Sequence, residues 1–232
     1  MRSASSWESS TEPFARDFIK RLYHSQVNPI EKCNFRQLFA INRLKSISLS
    51  TAIEIHSGHR SNNHGTCIAI DNSECRYLLS GGTEGKVVVY HLDTSTQASQ
   101  KIGPIAESSY SNSHSNAVSS VFWYPNDNGV YMSASYDGKI FVWDTSTFQI
   151  AGKFDLQDRI FKAKINFEGT LIAAALGDCS IRLTDPNTGD SCHELTGHTK
   201  SATYVDWCPS APHVIASSSL GLIFVTPALF NC

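Results

Sequence analysis

The sequence predicts an all-β chain of repeated four-stranded blades behind an N-terminal helix-loop-helix, and three observations predict it. From His114 to Ser135 and again from His198 to Ser219 the chain repeats itself without a gap, with Trp123 on Trp207, Pro125 on Pro209, Val130 on Val214 and Ser133 on Ser217, each pair 84 positions apart. One further unit lies between, because Asp178 and Asp185 follow Asp137 and Asp144 by 41 positions (178 − 137 and 185 − 144). Hydrophobic residues alternate with period two from Ile47 onward, whereas residues 13–45 carry a helical period.

A period of roughly 40–45 residues with a His near the start, a turn Asp and a closing Trp-Asp is the signature of WD-repeat β-propeller blades, each four antiparallel strands. Residues 1–12 are Ser/Thr-rich and are expected to form a disordered tail. Ser10 or Thr11 can cap a first helix and Pro13 suits its first turn, with Phe14, Phe18 and Leu22 on one face opposite Arg16, Lys20 and Arg21. Asn28-Pro29 interrupts it, since proline removes a donor and turns the preceding residue away from helix. A second helix is capped by Asn34 with Gln37 three residues on, and Phe35, Leu38 and Phe39 share a face near Arg36 and Arg43. Residues 46–219 then hold the blades.

Ile47/Leu49 and Ile53/Ile55 alternate with polar residues as a strand outside the first full repeat. In closed propellers such a terminal strand often completes the last blade and removes an exposed edge. The first repeat starts near His64, with strands at Thr66–Ile70, Arg76–Ser80 and Lys86–Leu92 and a weak fourth around Lys101–Ile105; Glu84-Gly85 and Tyr90-His91 replace Asp-Gly and Trp-Asp. The second is the clearest, with strands at Ala117–Trp123, Val130–Ser135, Lys139–Trp143 and Gln149–Phe154. The third runs through Ile160–Phe167, Leu171–Leu176, Ser180–Thr184 and Ser191–Leu195, with Thr184 in the place of Trp. The fourth offers Ala202–Trp207 and Val214–Ser218; then Gly stands at 221 where the turn Asp belongs, and Pro227 stands in the place of Trp. A proline inside a central strand costs a ladder bond, so no third strand is expected there and residues 220–232 read as a divergent tail.

Composition narrows the function classes. A formal net charge of −2 with both signs interspersed leaves no electrostatic footprint for binding nucleic acid directly. Apolar runs such as Leu171–Leu176 are far too short to span a bilayer, so no membrane segment is expected. Seven scattered cysteines include no Cys-x-x-Cys pair, and neighbours such as Cys192 and His193 point to opposite faces of a strand, so neither a metal nor a cofactor is expected.

Two constellations mimic enzyme sites. His114, Ser133 or Ser135, and Asp137 look like a hydrolytic triad, but in WD repeats these residue types form a structural network in which the turn Asp orients the His, which bonds through Ser to the indole of Trp143. Recurrence at His198, Ser217 and Ser219, with Asp178 as the turn residue between, favours that scaffold role. Ser80-Gly81-Gly82-Thr83-Glu84-Gly85-Lys86 resembles a phosphate loop, but three residues separate the outer glycines instead of four and Val87 replaces the magnesium-binding hydroxyl, so it reads as a hairpin turn. Trp123, Tyr124, Phe141, Trp143, Tyr204 and Trp207 lack basic interleaving and are expected to pack in the core. The helices, which a propeller does not need for its own core, offer Phe14, Phe18, Leu22, Phe35, Leu38 and Phe39 as anchors for a partner's groove.

The segments IHSGHRSNNHGTCIAIDNSECRYLLSGGTEGKVVVYHLD, AVSSVFWYPNDNGVYMSASYDGKIFVWDTST and LTGHTKSATYVDWCPSAPHVIASSS resemble the Cockayne syndrome group A family over roughly residues 50–219. The resemblance implies a seven-bladed propeller, of which this chain would hold about three and a half blades. It implies a nuclear, non-catalytic substrate receptor of a cullin-four RING ubiquitin ligase acting in transcription-coupled nucleotide-excision repair beside stalled-transcription repair factors. The helix-loop-helix would dock on the large adaptor subunit of the damaged-DNA-binding complex, carrying Phe14, Arg16, Phe18, Arg21, Leu22, Phe35, Leu38, Phe39 and Arg43 into that contact. The family's Trp-Asp-x-Arg box is not met: Trp143-Asp144-Thr145-Ser146 lacks the Arg, and Thr184-Asp185-Pro186-Asn187 lacks both Trp and Arg. A generic WD-repeat scaffold, or a truncated isoform without ligase function, is the alternative, and the loss of register near residue 220 suggests that the tail comes from an alternative transcript or gene model.

Overall fold

The computed structural model describes residues 54–55, 64–92 apart from 72 and 74, 101–209 apart from 126, and 211–227 apart from 222. The helix-loop-helix over 13–45, its anchors Phe14, Arg16, Phe18, Arg21, Leu22, Phe35, Leu38, Phe39 and Arg43, and the tail over 1–12 lie outside the described residues.

Strand β1 (Glu54–Ile55) precedes the first blade, built from β2 (Gly65–Ile70), β3 (Tyr77–Gly82) and β4 (Val87–His91). β5 (Lys101–Ile102) pairs in parallel with β1, and β6 (Pro104–Glu107) completes the blade against β4. The terminal strand therefore joins residues just before β6 instead of a last blade, and the single strand expected around 101–105 divides in two. The second blade is β7 (Val118–Tyr124), β8 (Asp127–Ser135), β9 (Lys139–Asp144) and β10 (Gln149–Asp155). The third is β11 (Ile160–Ile165), β12 (Ile172–Leu176), β13 (Ile181–Thr184) and β14 (Ser191–Leu195). The fourth has β15 (Ala202–Cys208), β16 (Ala211–Ser219) and β17 (Ile223–Pro227). Each blade is an antiparallel meander in chain order, and β1 with β5 forms a separate two-stranded parallel sheet.

The blades pack face to face because each strand alternates between two apolar faces. Leu79, Val87 and Val89 of the first blade meet Val121, Trp123, Tyr131, Phe141 and Trp143 of the second. On its other face the second blade offers Phe122, Met132, Ala134 and Ile140 to Ile160, Ala163, Ile165, Ile172, Ala174 and Leu176 of the third. Ala173, Ala175, Ile181 and Leu183 then face Ala202, Val205, Trp207 and Ile215 of the fourth. The first strands converge, β2 on β7, β7 on β11 and β11 on β15, so they form the inner rim of the array.

All four inner strands bulge at the same place. Thr66, Ser119, Phe161 and Thr203 are each the extra residue between the paired flanking positions, as the register shifts between Gly65 and Cys67, Val118 and Ser120, Ile160 and Lys162, and Ala202 and Tyr204 show. The bulge lengthens the spacing of inward residues from two to three, so Ala202 and Val205 are both buried while Tyr204 turns outward and is 47% exposed. Core packing holds for Trp123, Phe141, Trp143 and Trp207, with Tyr124 packed at the edge of the second core, but Tyr204 is a surface residue.

The strand that Pro227 argued against is present. β17 pairs with β16, and Pro227 is its last residue, opposite Val214. β17 is the outer strand of its sheet among the described residues, and at the end of such a strand a missing amide interrupts no further ladder. The repeat register is nevertheless broken there. Ser80 faces Val88 and Ser133 faces Phe141, eight residues on (88 − 80 and 141 − 133), whereas Ser217 faces Phe224, only seven on (224 − 217). The turn after β16 is one residue shorter than its sisters.

Candidate functional site

The second blade assembles a closed polar network. His114 holds Asp137 through Nδ1, at 3.2 and 3.1 Å from the two carboxylate oxygens, and its Nε2 lies 2.8 Å from Ser133 Oγ. Trp143 Nε1 donates to the same Oγ at 2.9 Å. Asp137 accepts from the imidazole N–H at Nδ1, and Ser133 Oγ bridges Nε2 and the indole, accepting from the indole N–H. The imidazole also stacks on Phe141 at 3.9 Å between ring centroids. Burial is the largest single influence on the Asp137 carboxyl and opposes its ionisation. The hydrogen bond and charge of His114 and the amides of Lys139 and Ser115 outweigh it and hold the group below the usual carboxylate range.

Of the two serines left open by the sequence, Ser133 belongs to this network. Ser135 instead donates to the carbonyls of Asn116 and Ala117 and accepts the amide of Asp137, shaping the turn. Ser133 is 0% exposed beneath the equally buried Trp143, so no substrate carbonyl can reach its hydroxyl. The arrangement ties strands together; it does not present a nucleophile.

The other blades carry fragments of the network. His198 Nε2 lies 2.8 Å from Ser217 Oγ, and the amide of Gly221 donates to Ser219 Oγ as Asp137 does to Ser135. In the third blade Ala174 takes the place of Ser133, and Thr184 is buried with its hydroxyl unpartnered among the described residues. Asp178 turns instead to Ser180 and Arg182. Burial again opposes ionisation most, and the Ser180 hydrogen bonds with the Arg182 charge prevail and lower the Asp178 pKa.

The Gly-rich segment of the first blade is a hairpin turn between β3 and β4, and Lys86 is ion-paired with Glu107. Gly85 has φ +81°, and a Cβ there would sit 2.1 Å from the carbonyl oxygen of His114, whose amide bonds back to Gly85. Gly138 repeats the conformation at φ +81°, and Cys179 holds it at φ +74° without being glycine. The glycines are needed for close approach of the next segment, not for phosphate. Among the described residues no group of three or more His, Cys, Asp or Glu could hold a metal ion, and no helix is long and apolar enough to cross a membrane.

The bulges give the inner rim a second pattern, which the sequence reading missed. Thr66 Oγ1 donates to Gly81 O at 3.0 Å, Ser119 Oγ to Ala134 O at 3.2 Å and Thr203 Oγ1 to Ser218 O at 3.3 Å. In three blades a hydroxyl at the bulge locks the first strand to the second. The third blade has Phe161 there, and its ring meets Tyr136 edge-on at 5.6 Å. The signal was three hydroxyls and one aromatic at equivalent positions, visible once the bulge is known.

A family model for the WD domain, G-beta repeat, matches residues 107–144 and 189–225. The chain carries WD repeats. The first match covers the complete network of the second blade, and the second runs from β14 into β17. Among curated proteins, WD repeat-containing protein ATCSA-1 of Arabidopsis thaliana is 31% identical over 196 residues, 80% of this chain and 43% of that protein. Protein hir-1 of Neurospora crassa is 26% identical over 70% of this chain and 18% of its own length. The chain thus spans less than half the length of these relatives. A chain in the crystal structure of a mitotic checkpoint complex superimposes with a TM-score of 0.61 at 17% identity, over 73% of this chain and 49% of that one, a likeness of fold. WD repeats are interaction modules, and the closed network of the second blade fits a framework for such surfaces.

Proposed function

We propose that this chain is a non-catalytic, nuclear substrate-recognition subunit of a cullin-four RING ubiquitin ligase, acting in transcription-coupled nucleotide-excision repair. The observation that carries the proposal is the 31% identity to WD repeat-containing protein ATCSA-1 across 80% of the chain, in line with the resemblance of its WD repeats to the Cockayne syndrome group A family. In this reading residues 13–45 dock on the large adaptor subunit of the damaged-DNA-binding complex, and the WD blades hold a substrate near the ligase so that proximity supplies the rate. Specificity of docking would come from helix anchors filling a groove. Burial of Ser133 and His114 supports the non-catalytic part.

The test is binding of the full chain to the purified adaptor subunit, by biolayer interferometry. Saturable binding at micromolar or lower concentration is expected, with loss of at least ~10-fold on replacing Phe14 and Phe18 by Ser. Absence of binding would remove the ligase assignment and leave an interaction scaffold with other partners.

A further inference from the structure

Where a repeat departs from its sisters at the cost of a structural bond, something other than folding accounts for the choice. Phe161 is such a departure. Its sisters Thr66, Ser119 and Thr203 each lock a bulge with a hydroxyl, and at Phe161 that lock is given up. In its place stands an aromatic edge contact with Tyr136, a turn residue of the second blade that is 38% exposed.

The residue after the bulge extends the departure. Lys162 Nζ lies 5.5 Å from the ring centroid of Tyr204, the outward-turned aromatic of the fourth blade. No carboxylate among the described residues pairs with Lys162, whereas Lys164 on the same strand and Arg182 on β13 are tied to Asp206 and Asp178. Tyr136, Phe161, Lys162 and Tyr204 thus make a continuous strip crossing three blades along the inner rim. It is aromatic apart from Lys162, whose ammonium lies over the Tyr204 ring.

We propose that this strip docks a segment of a partner protein in which an apolar or aromatic side chain is flanked by a carboxylate. The aromatic edges supply large contact area at low entropic cost, and the ammonium of Lys162 takes the carboxylate. Charge decides against nucleic acid as the occupant. A phosphate backbone needs several cations, and Lys164 and Arg182 are already paired on a chain of net charge −2. The proposal deepens the interaction-scaffold reading and rests on it, but not on ligase membership.

The experiment uses the full chain with three fluorescent probes: short peptides with one Phe or Trp among Asp residues, the same peptides with Asn for Asp, and oligothymidylate. Fluorescence anisotropy is expected to show saturable binding of the acidic aromatic peptides and at least ~10-fold weaker binding of their neutral counterparts. Phe161→Thr installs the residue of the sister blades, so its unfolding midpoint is expected to equal or exceed that of the parent while peptide affinity falls at least ~10-fold. Lys162→Gln is expected to erase the preference for acidic peptides. Unchanged affinity in Phe161→Thr, no saturable binding of any acidic peptide by the parent chain, or displacement of the peptide by oligothymidylate overturns the proposal. Adaptor binding is measured on the same samples: peptide docking without adaptor binding leaves the strip standing and sinks the ligase reading, and the converse does the reverse.

Discussion

Replacing Ser133 by Ala removes one oxygen and strands two buried groups. The hydroxyl is the acceptor for Trp143 Nε1 at 2.9 Å and the partner of His114 Nε2 at 2.8 Å. Ser133 and Trp143 are 0% exposed and His114 is 3% exposed, so water cannot replace the lost oxygen without opening the blade. A buried polar group left unsatisfied costs about 1–3 kcal/mol, which puts Ser133→Ala at about 2–6 kcal/mol for the pair. In the fourth blade Ser217 bonds His198 at 2.8 Å, but Thr226 stands opposite Ile215 where Trp143 stands opposite Tyr131 and no indole is present, so Ser217→Ala is expected to cost about 1 kcal/mol. Urea unfolding followed by far-ultraviolet circular dichroism gives both values from midpoint and slope. In a Trp143→Phe background, where one of the two stranded groups is gone, Ser133→Ala should cost less than in the parent chain. A cost for Ser133→Ala below about 1 kcal/mol, or equal to that of Ser217→Ala, would refute the two-partner account of the network.

Two further predictions follow from the turns. Asp137 is held below the usual carboxylate range in the folded chain, so its stabilisation is fully present above the ordinary aspartate pKa of about 4 and is lost as pH falls through the folded value. Urea midpoints measured from neutral pH downward should therefore decline on the acid side, and Asp137→Asn should flatten that decline; an identical slope in the variant would remove the assignment. Cys179 adopts φ +74° where Gly85 and Gly138 stand in the equivalent turns, a conformation that costs a side-chain-bearing residue roughly 1–2 kcal/mol. Less the backbone entropy of glycine, Cys179→Gly should stabilise the chain by about 0.5–1 kcal/mol, readable as a raised thermal midpoint, and a lowered midpoint would contradict it.

The repeat register was legible because His114, Trp123 and Ser133 recur as His198, Trp207 and Ser217, and Asp137 as Asp178, whatever the intervening loops do. Strand order and the apolar faces followed from period two. The choice between Ser133 and Ser135 was not legible, since residues two apart share a strand face and only the distance along β8 to the imidazole separates them. The exposure of Tyr204 was hidden for a related reason. A bulge belongs to the pairing of two strands, not to either strand's sequence, and it shifts the parity of every residue before it relative to those after. Pro227 misled because the rule against proline applies to central strands, and it closes an outer one. The aromatic strip escaped notice because its members come from a turn and two bulged strands on three blades, a neighbourhood that exists only once the blades are packed.

The central claim, that these WD repeats serve a ligase receptor, is tested most directly by the affinity of the full chain for the purified large subunit of the damaged-DNA-binding complex. The account predicts saturable micromolar or tighter binding that falls at least ~10-fold when Phe14 and Phe18 are replaced by Ser, with the unfolding transition of the blades unchanged. Binding that is absent, or indifferent to those two residues, would contradict it.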